Sequence, residues 1–303
     1  MKRLTCILVC LLGTLTGCSN AVKPGSADGL IEQHAFDGAT GERLSYDDVV
    51  ARLRARDIII LGETHDDADG HAVQAKLTHL ILDGTSNGAL ALEMLERDEQ
   101  PMVDAWFDGA MSARSMAEET GSAAWAGTGS WKAWYQPALD AARAHDARII
   151  AANAPRRYVR IANREGFASL EALPADERAY FVIPETIIDG PYADNFREIM
   201  TGFADDGLHD GMSEEDLNAL FRSQLVWDAT MSDSVAAARR EGGGPVILLI
   251  GQFHSDFEGG TVHYLREKRP NDSMATVSLQ PVVSEALREE DVDRADIVIY
   301  TGR

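Results

Sequence analysis

The chain has 303 residues, 45% hydrophobic and 25% charged, a globular composition that excludes a disordered, collagenous or coiled-coil molecule. A chain of this length buries enough surface to fold as one large domain without disulfides. Its 28 Lys and Arg against 49 Asp and Glu leave a net charge of −21, which excludes nucleic acid as a partner because phosphate contacts need a basic face.

The N-terminus reads as an address. Lys2 and Arg3 precede a short apolar run from Ile7 to Leu15. That run falls well below the roughly 20 residues of a membrane-spanning helix and suits a signal peptide. Leu15-Thr16-Gly17-Cys18 resembles the bacterial lipobox, in which the cysteine is acylated and becomes the first residue. The expected division is a signal peptide over 1–17, a lipidated polar tether over 18–28 and one domain over 29–303. Cys6 and Cys10 leave with the signal peptide, so the mature chain has no disulfide and no thiol nucleophile. Acyl chains on Cys18, palmitate among them, give a membrane anchor. Ser19 in the second mature position resembles outer-membrane sorting, so the expected location is the bacterial cell envelope, lipid-anchored at the outer membrane.

Beyond the tether, short apolar runs alternate with helical stretches. The expected strands are Asp57–Gly62, Ala89–Met94, Arg148–Ala152, Pro245–Gly251, Ala275–Leu279 and Asp296–Tyr300. DIIILG and PVILLIG are apolar without alternation, as strands covered on both faces are. Helices are expected over Gly70–Leu82, Asp98–Phe107, Ser130–His145, Pro155–Arg164, Asp194–Phe203 and Ser213–Arg239, the last opened by a near capping box, Ser213 with Asp216. The alternation predicts an α/β fold with a mainly parallel central sheet flanked by helices. Between the third and fourth strands lies a helical insertion, over about 155–244.

Two patterns carry no chemistry. Gly84-Thr85-Ser86-Asn87-Gly88 fits a serine-hydrolase elbow in letters, but a helix precedes it and a strand follows, the reverse of what the elbow needs. Gly242-Gly243-Gly244-Pro245 enters a strand and lacks the following helix that would hold phosphate. His34, His79, His145, His209 and His263 have no partners at ligand spacing and read as surface residues. Trp125, Trp131, Trp134 and Tyr135 read as a core plug or a stacking surface for a planar ligand.

The chemistry gathers where strands end. The first strand runs into Glu63 and His65, the second carries Glu93, the third ends at Asn153 and the fourth runs into His254. In a parallel sheet these ends share one edge, where open α/β folds bind ligands. Two imidazoles and two carboxylates brought together there suit metal ligation or a division of acid and base roles. His71, Gln74 and Arg97 are spaced to rim the same edge.

Five segments resemble the ChaN-like haem-binding lipoproteins, within a wider superfamily of Tiki-type proteins and erythromycin-esterase-like enzymes. They are IILGETHDDADGHAVQ, ALEMLERDEQP, IAANAPRRYVR, SQLVWDATM and LLIGQFHSDFEGG, in that order, and the similarity spans about 56–281. By motif, Gly62, Glu63, His65, His71 and Gln74 match the first, Glu93, Arg97 and Gln100 the second, and Asn153 and Pro155 the third. Gln224, Asp228 and Met231 match the fourth, with Gly251 and His254 in the last. Gly70 stands where the family often has a histidine, and Phe253 where it often has a glycine. The resemblance implies haem binding for iron uptake, as a homodimer with haem between protomers and a tyrosine on iron. Tyr158 is the first candidate, ahead of Tyr180 and Tyr192. Arg157, with Arg156 and Arg160, suits the propionates, and His71 and Arg97 complete the haem-binding set. The wider superfamily implies the alternative of a hydrolase using Glu63, His65, Glu93 and His254. A divalent metal would then sit on His65 and His254, with Glu63 or Glu93 as further ligand or polarising a water. Both readings stand at this point.

Overall fold

The computed structural model describes residues 27–202 and 213–302. The signal-peptide segment 1–17, Cys18, nearly all of the tether and His209 lie outside the described residues. Among the described residues the strands are β1 (Ala35–Asp37), β2 (Ile58–Glu63), β3 (Ala89–Glu96), β4 (Arg148–Asn153), β5 (Val246–Gly251), β6 (Met274–Gln280) and β7 (Ile297–Tyr300). The helices are α1 (Ala27–His34), α2 (Tyr46–Arg54), α3 (Ala68–Leu82), α4 (Gln100–Phe107), α5 (Ala113–Glu119), α6 (Gln136–Ala144), α7 (Arg156–Glu165), α8 (Phe167–Glu171), α9 (Pro191–Gly202), α10 (Glu214–Gly242) and α11 (Gly260–Lys268).

The strands form one sheet in the order β1-β7-β6-β2-β5-β3-β4. Every pairing is parallel except that of β1 with β7 at the edge. The mainly parallel sheet expected from the alternation is therefore present, with one short antiparallel edge strand added. Both faces are covered, which is why the central strands lack polar alternation. Ile59, Leu61, Leu90, Leu92, Ile247 and Leu249 pack on one side with α3, α4 and α6 residues. Ile58, Ile60, Ala91, Val246, Leu248 and Ile250 pack on the other with Met231 and Val235 of α10 and Val262 of α11. Each fully buried Ile or Leu contributes roughly 1.5–3 kcal/mol.

Between β4 and β5 the described residues form helices without strands, as expected of the insertion. The long helix α10 opens on a complete capping box, Ser213 with Asp216, and stops at Gly243, whose φ of 71° is left-handed. The serine-elbow lookalike is a turn between α3 and β3.

Candidate functional site

The register of the central strands creates the site. Glu63, at the end of β2, lies opposite Gly251, at the end of β5. In β3 the register to β4 shifts between Leu92 and Glu96, an irregularity that falls on Glu93 and re-aims it. Three adjacent strands thus deliver Glu63, Glu93 and the turn bearing His254 to one edge.

Glu63 is buried. Its Oε1 accepts from the Tyr135 hydroxyl at 2.8 Å and lies 2.9 Å from His65 Nδ1. Its Oε2 lies 3.4 Å from His71 Nδ1 and has no hydrogen-bond partner. Burial opposes the charged carboxylate, but the His65 contact, the His71 and His65 charges and the Tyr135 hydroxyl together hold its pKa below the usual range. Burial and the neighbouring Glu63 charge push the Tyr135 phenol far up. His71 Nδ1 lies 3.1 Å from Gln74 Oε1 and its Nε2 3.1 Å from the His65 carbonyl. Gln74 in turn donates to the Leu61 carbonyl at 3.1 Å. Both residues therefore brace the end of β2, and Trp134 stacks on the buried His71 ring at 5.2 Å. The aromatic stretch divides its work: Trp131 and Tyr135 plug the core while Trp125 sits at the rim.

Glu93 Oε2 accepts the Gly251 N–H at 2.6 Å, and its Oε1 lies 3.8 Å from His254 Nε2. His254 Nδ1 meets Asp228 Oδ1 at 2.7 Å. Asp228, fully buried on α10, also accepts the Thr261 and Tyr192 hydroxyls at 2.7 Å and 2.6 Å. Burial disfavours the charged His254 ring, but Asp228 and then Glu93 raise its pKa against the opposing charge of His65. Burial and Asp228 drive the Tyr192 phenol far above its usual value. Asn153 stands outside this cluster: it ties the Glu93 carbonyl to the end of β4, donating at 2.9 Å.

His65 closes the arrangement. A Cβ at Gly251 would stand 3.2 Å from His65 Cε1 and 3.3 Å from both His65 Nε2 and Glu93 Oε2, so glycine permits this close approach. Burial works against the charged His65 ring, yet the Glu63 contact and the Glu93 and Glu63 charges raise its pKa to about 9. The side chain is 44% exposed. The edge of Trp125 lies over it at 6.1 Å, and the Arg156 guanidinium covers the indole at 4.6 Å.

Two imidazoles thus have Nδ1 fixed by a carboxylate, leaving Nε2 to face Glu93 or the rim. Such pairs fix a tautomer and hold or pass a proton. The expected metal ligation by His65, His254, Glu63 and Glu93 gains no support. Among the described residues no group of three or more His, Cys, Asp or Glu is placed to hold a metal ion. One oxygen of each carboxylate is already engaged, Glu63 Oε1 by Tyr135 and His65 and Glu93 Oε2 by the Gly251 N–H.

A second group lies where the turn after β3 meets the helical insertion. Arg97 is tied to Asp233 at 2.8 Å, to Ser234 Oγ at 2.9 Å and to the Thr230 carbonyl at 3.0 Å, and reaches the Ala179 carbonyl at 3.5 Å. Arg157 pairs with Asp98 and donates to the Tyr158 hydroxyl at 3.2 Å. Its guanidinium lies 4.4 Å from the Tyr158 ring and 5.7 Å from the Tyr180 ring. The two tyrosine rings are parallel within 10° at 6.4 Å. Tyr158, the first tyrosine candidate, is only 2% exposed and Tyr192 only 7%, whereas Tyr180 is 37% exposed. His71 is remote from this group in its contacts and sits instead beneath Glu63.

Three histidines read as isolated are not. His145 Nε2 lies 2.9 Å from His79 Nδ1, a pairing across 66 residues that no local spacing reveals. His263 also has a partner, Glu267, at 3.5 Å.

Residues 49–265 match the model of a family described as haem-binding uptake, Tiki superfamily, ChaN. Among solved structures, ChaN of Campylobacter jejuni, described as binding haem cofacially, has a TM-score of 0.65 at 19% identity, covering 88% of this chain and 95% of that one. The type III effector HopBA1 has a TM-score of 0.50 at 10% identity, covering 90% and 97%. At these identities the likeness is one of fold. No curated protein sequence matches the chain.

Proposed function

The chain belongs to the ChaN family of haem-binding uptake proteins in the Tiki superfamily, and from that premise we propose that it binds haem on the helical insertion, at Tyr180. The observation that carries this reading is the exposure of Tyr180 beside Arg157, where the other two candidate phenols are buried. Ferric iron in haem accepts a tyrosine oxygen as axial ligand. A phenol at the surface can reach a flat macrocycle; one under a neighbouring ring cannot. Arg157 offers a guanidinium to a haem carboxylate, in exchange for Asp98. Arg97, bonded to the Ala179 carbonyl, steadies the backbone next to Tyr180. Tyr158 is the floor beneath the ligating ring. Exposed Ile187 and Ile199 add apolar surface on the same insertion.

Haem uptake for iron acquisition, with two copies facing each other across haem, completes the reading. Its anchor is the acylated Cys18 at the outer membrane, after removal of residues 1–17. Among the described residues no helix is long and apolar enough to cross a membrane. Two experiments test it. Titration of the chain with haemin should give a Soret change that saturates near one haem per chain, with a doubling of mass in sedimentation; a featureless, non-saturating titration counts against it. Cys18→Ala should move the protein from the membrane fraction to the soluble one, and unchanged fractionation removes the anchor from the proposal.

A further inference from the structure

We propose that His79 and His145 form a two-imidazole site for a divalent transition-metal ion of right-angled coordination, nickel or copper, separate from both the haem patch and the Glu63–His254 cluster. His79 lies in the last turn of α3 and His145 caps α6. These helices lead into β3 and β4, neighbouring parallel strands, so both histidines stand at the amino-terminal edge of the sheet. The strand-end cluster occupies the opposite edge.

The spacing suits one coordination geometry. The facing nitrogens are 2.9 Å apart, with ring centroids at 4.8 Å and planes inclined by 43°. Two nitrogens each about 2.05 Å from one ion are separated by about 2.9 Å when they subtend a right angle, and by about 3.35 Å in a tetrahedron. The observed spacing, set by the hydrogen bond the rings share, also equals that of cis ligands in a square-planar or octahedral site, so an ion of that geometry, copper or nickel, enters with the least movement of the two nitrogens. In the metal-free pair one proton lies between two nitrogens. A divalent ion takes its place as that proton moves to the other nitrogen of the same ring, and each facing nitrogen turns its lone pair about 45° off the line between them. The pair is exposed to solvent, which leaves room for that turn and for waters in the remaining positions.

The charge around the pair points the same way at long range, since a chain of net −21 attracts cations. Nearby, Arg54 already caps the end of α3 through the Leu80 carbonyl, so the imidazoles rather than the helix terminus supply the affinity. With two protein ligands the ion is held reversibly. This agrees with the lack, among the described residues, of any group of three or more ligating side chains.

The test is calorimetric titration of the full chain with nickel sulfate. One nickel equivalent bound in the micromolar range, weakened roughly tenfold or more by either His79→Ala or His145→Ala, is expected. His263→Ala is the control and should leave binding unchanged. Because His79 is exposed and His145 half-exposed, the variants should stay close to the wild-type melting temperature without nickel, and nickel should raise it in the wild type and in His263→Ala but in neither variant of the pair. Equal affinity in all four proteins, or no binding in the wild type, overturns the proposal.

Discussion

His254 Nδ1 lies 2.7 Å from Asp228 Oδ1, a buried contact between the turn after β5 and the middle of α10. Through that one carboxylate the helical insertion reaches the sheet edge, because Asp228 also accepts from Tyr192, next to the start of α9, and from Thr261 of α11.

Asp228→Asn should therefore cost more than the loss of one hydrogen bond. It leaves His254 without its counter-charge and presents an amide N–H₂ to groups that donate. Breaking a buried pair from one side costs about 3–5 kcal/mol. Urea denaturation should register a loss of that order, together with a fall in the His254 pKa by NMR. A loss below about 1 kcal/mol would contradict the role assigned to Asp228.

The Glu63–His65 pair predicts a pH profile. His65 is raised from 6.5 to about 9 on folding, so its gain in stability is complete below pH 6.5 and lost as pH rises toward 9. Glu63 is lowered from 4.5, so its gain is complete above pH 4.5 and lost on acidification. The two coexist in full only between pH 4.5 and 6.5. Denaturant midpoints of the wild type should decline from pH 6.5 to 9, by less than for a buried pair because solvent screens the half-exposed ring. Glu63→Gln should flatten that decline, leaving the share due to His254. An equally steep decline in the variant would show that the pair is not its source.

Two glycines should differ in their tolerance of a methyl group. At Gly260 a Cβ would meet the Asp228 carboxylate, and Tyr192 Cε1 at 2.8 Å, both buried and fixed. At Gly251 the close neighbours are the Glu93 carboxylate and the His65 ring, which is half-exposed and can yield. Gly260→Ala should cost about 3 kcal/mol and Gly251→Ala about 1 kcal/mol, as overpacking does. The reverse order of melting temperatures would mean that the Asp228 cluster is loose.

Much of this site is legible in the sequence, and what is missing has a physical cause. Glu63, His65, Glu93 and His254 announce themselves because unalternating apolar strands of one parallel sheet must end on one edge. Asp228 belongs to a recognisable motif but reveals no contact, since a helix 29 residues long offers many faces and the sequence does not say which one meets the sheet. Tyr135 reads as core, and it is core, yet its hydroxyl ends on Glu63. The three residues of β1 are too few for any period, and their strand exists only through pairing with β7. Helix α2 escapes notice although Ser45 and Asp48 form a complete capping box before it. The His79–His145 pair is a product of tertiary packing alone.

Charge predicts the kinetics of haem capture. The net charge of −21 repels a dianionic haem at distances beyond the reach of Arg157. Raising sodium chloride from low to physiological strength should accelerate haemin association a few-fold in stopped-flow absorption. Slower association would mean that the local guanidinium governs the approach.

The assignment of the iron ligand is tested most directly by haemin titration of Tyr180→Phe beside Tyr158→Phe and the wild type. Loss of the saturating Soret change in Tyr180→Phe, with Tyr158→Phe close to wild type, is the predicted result. An unchanged titration in Tyr180→Phe would contradict the account.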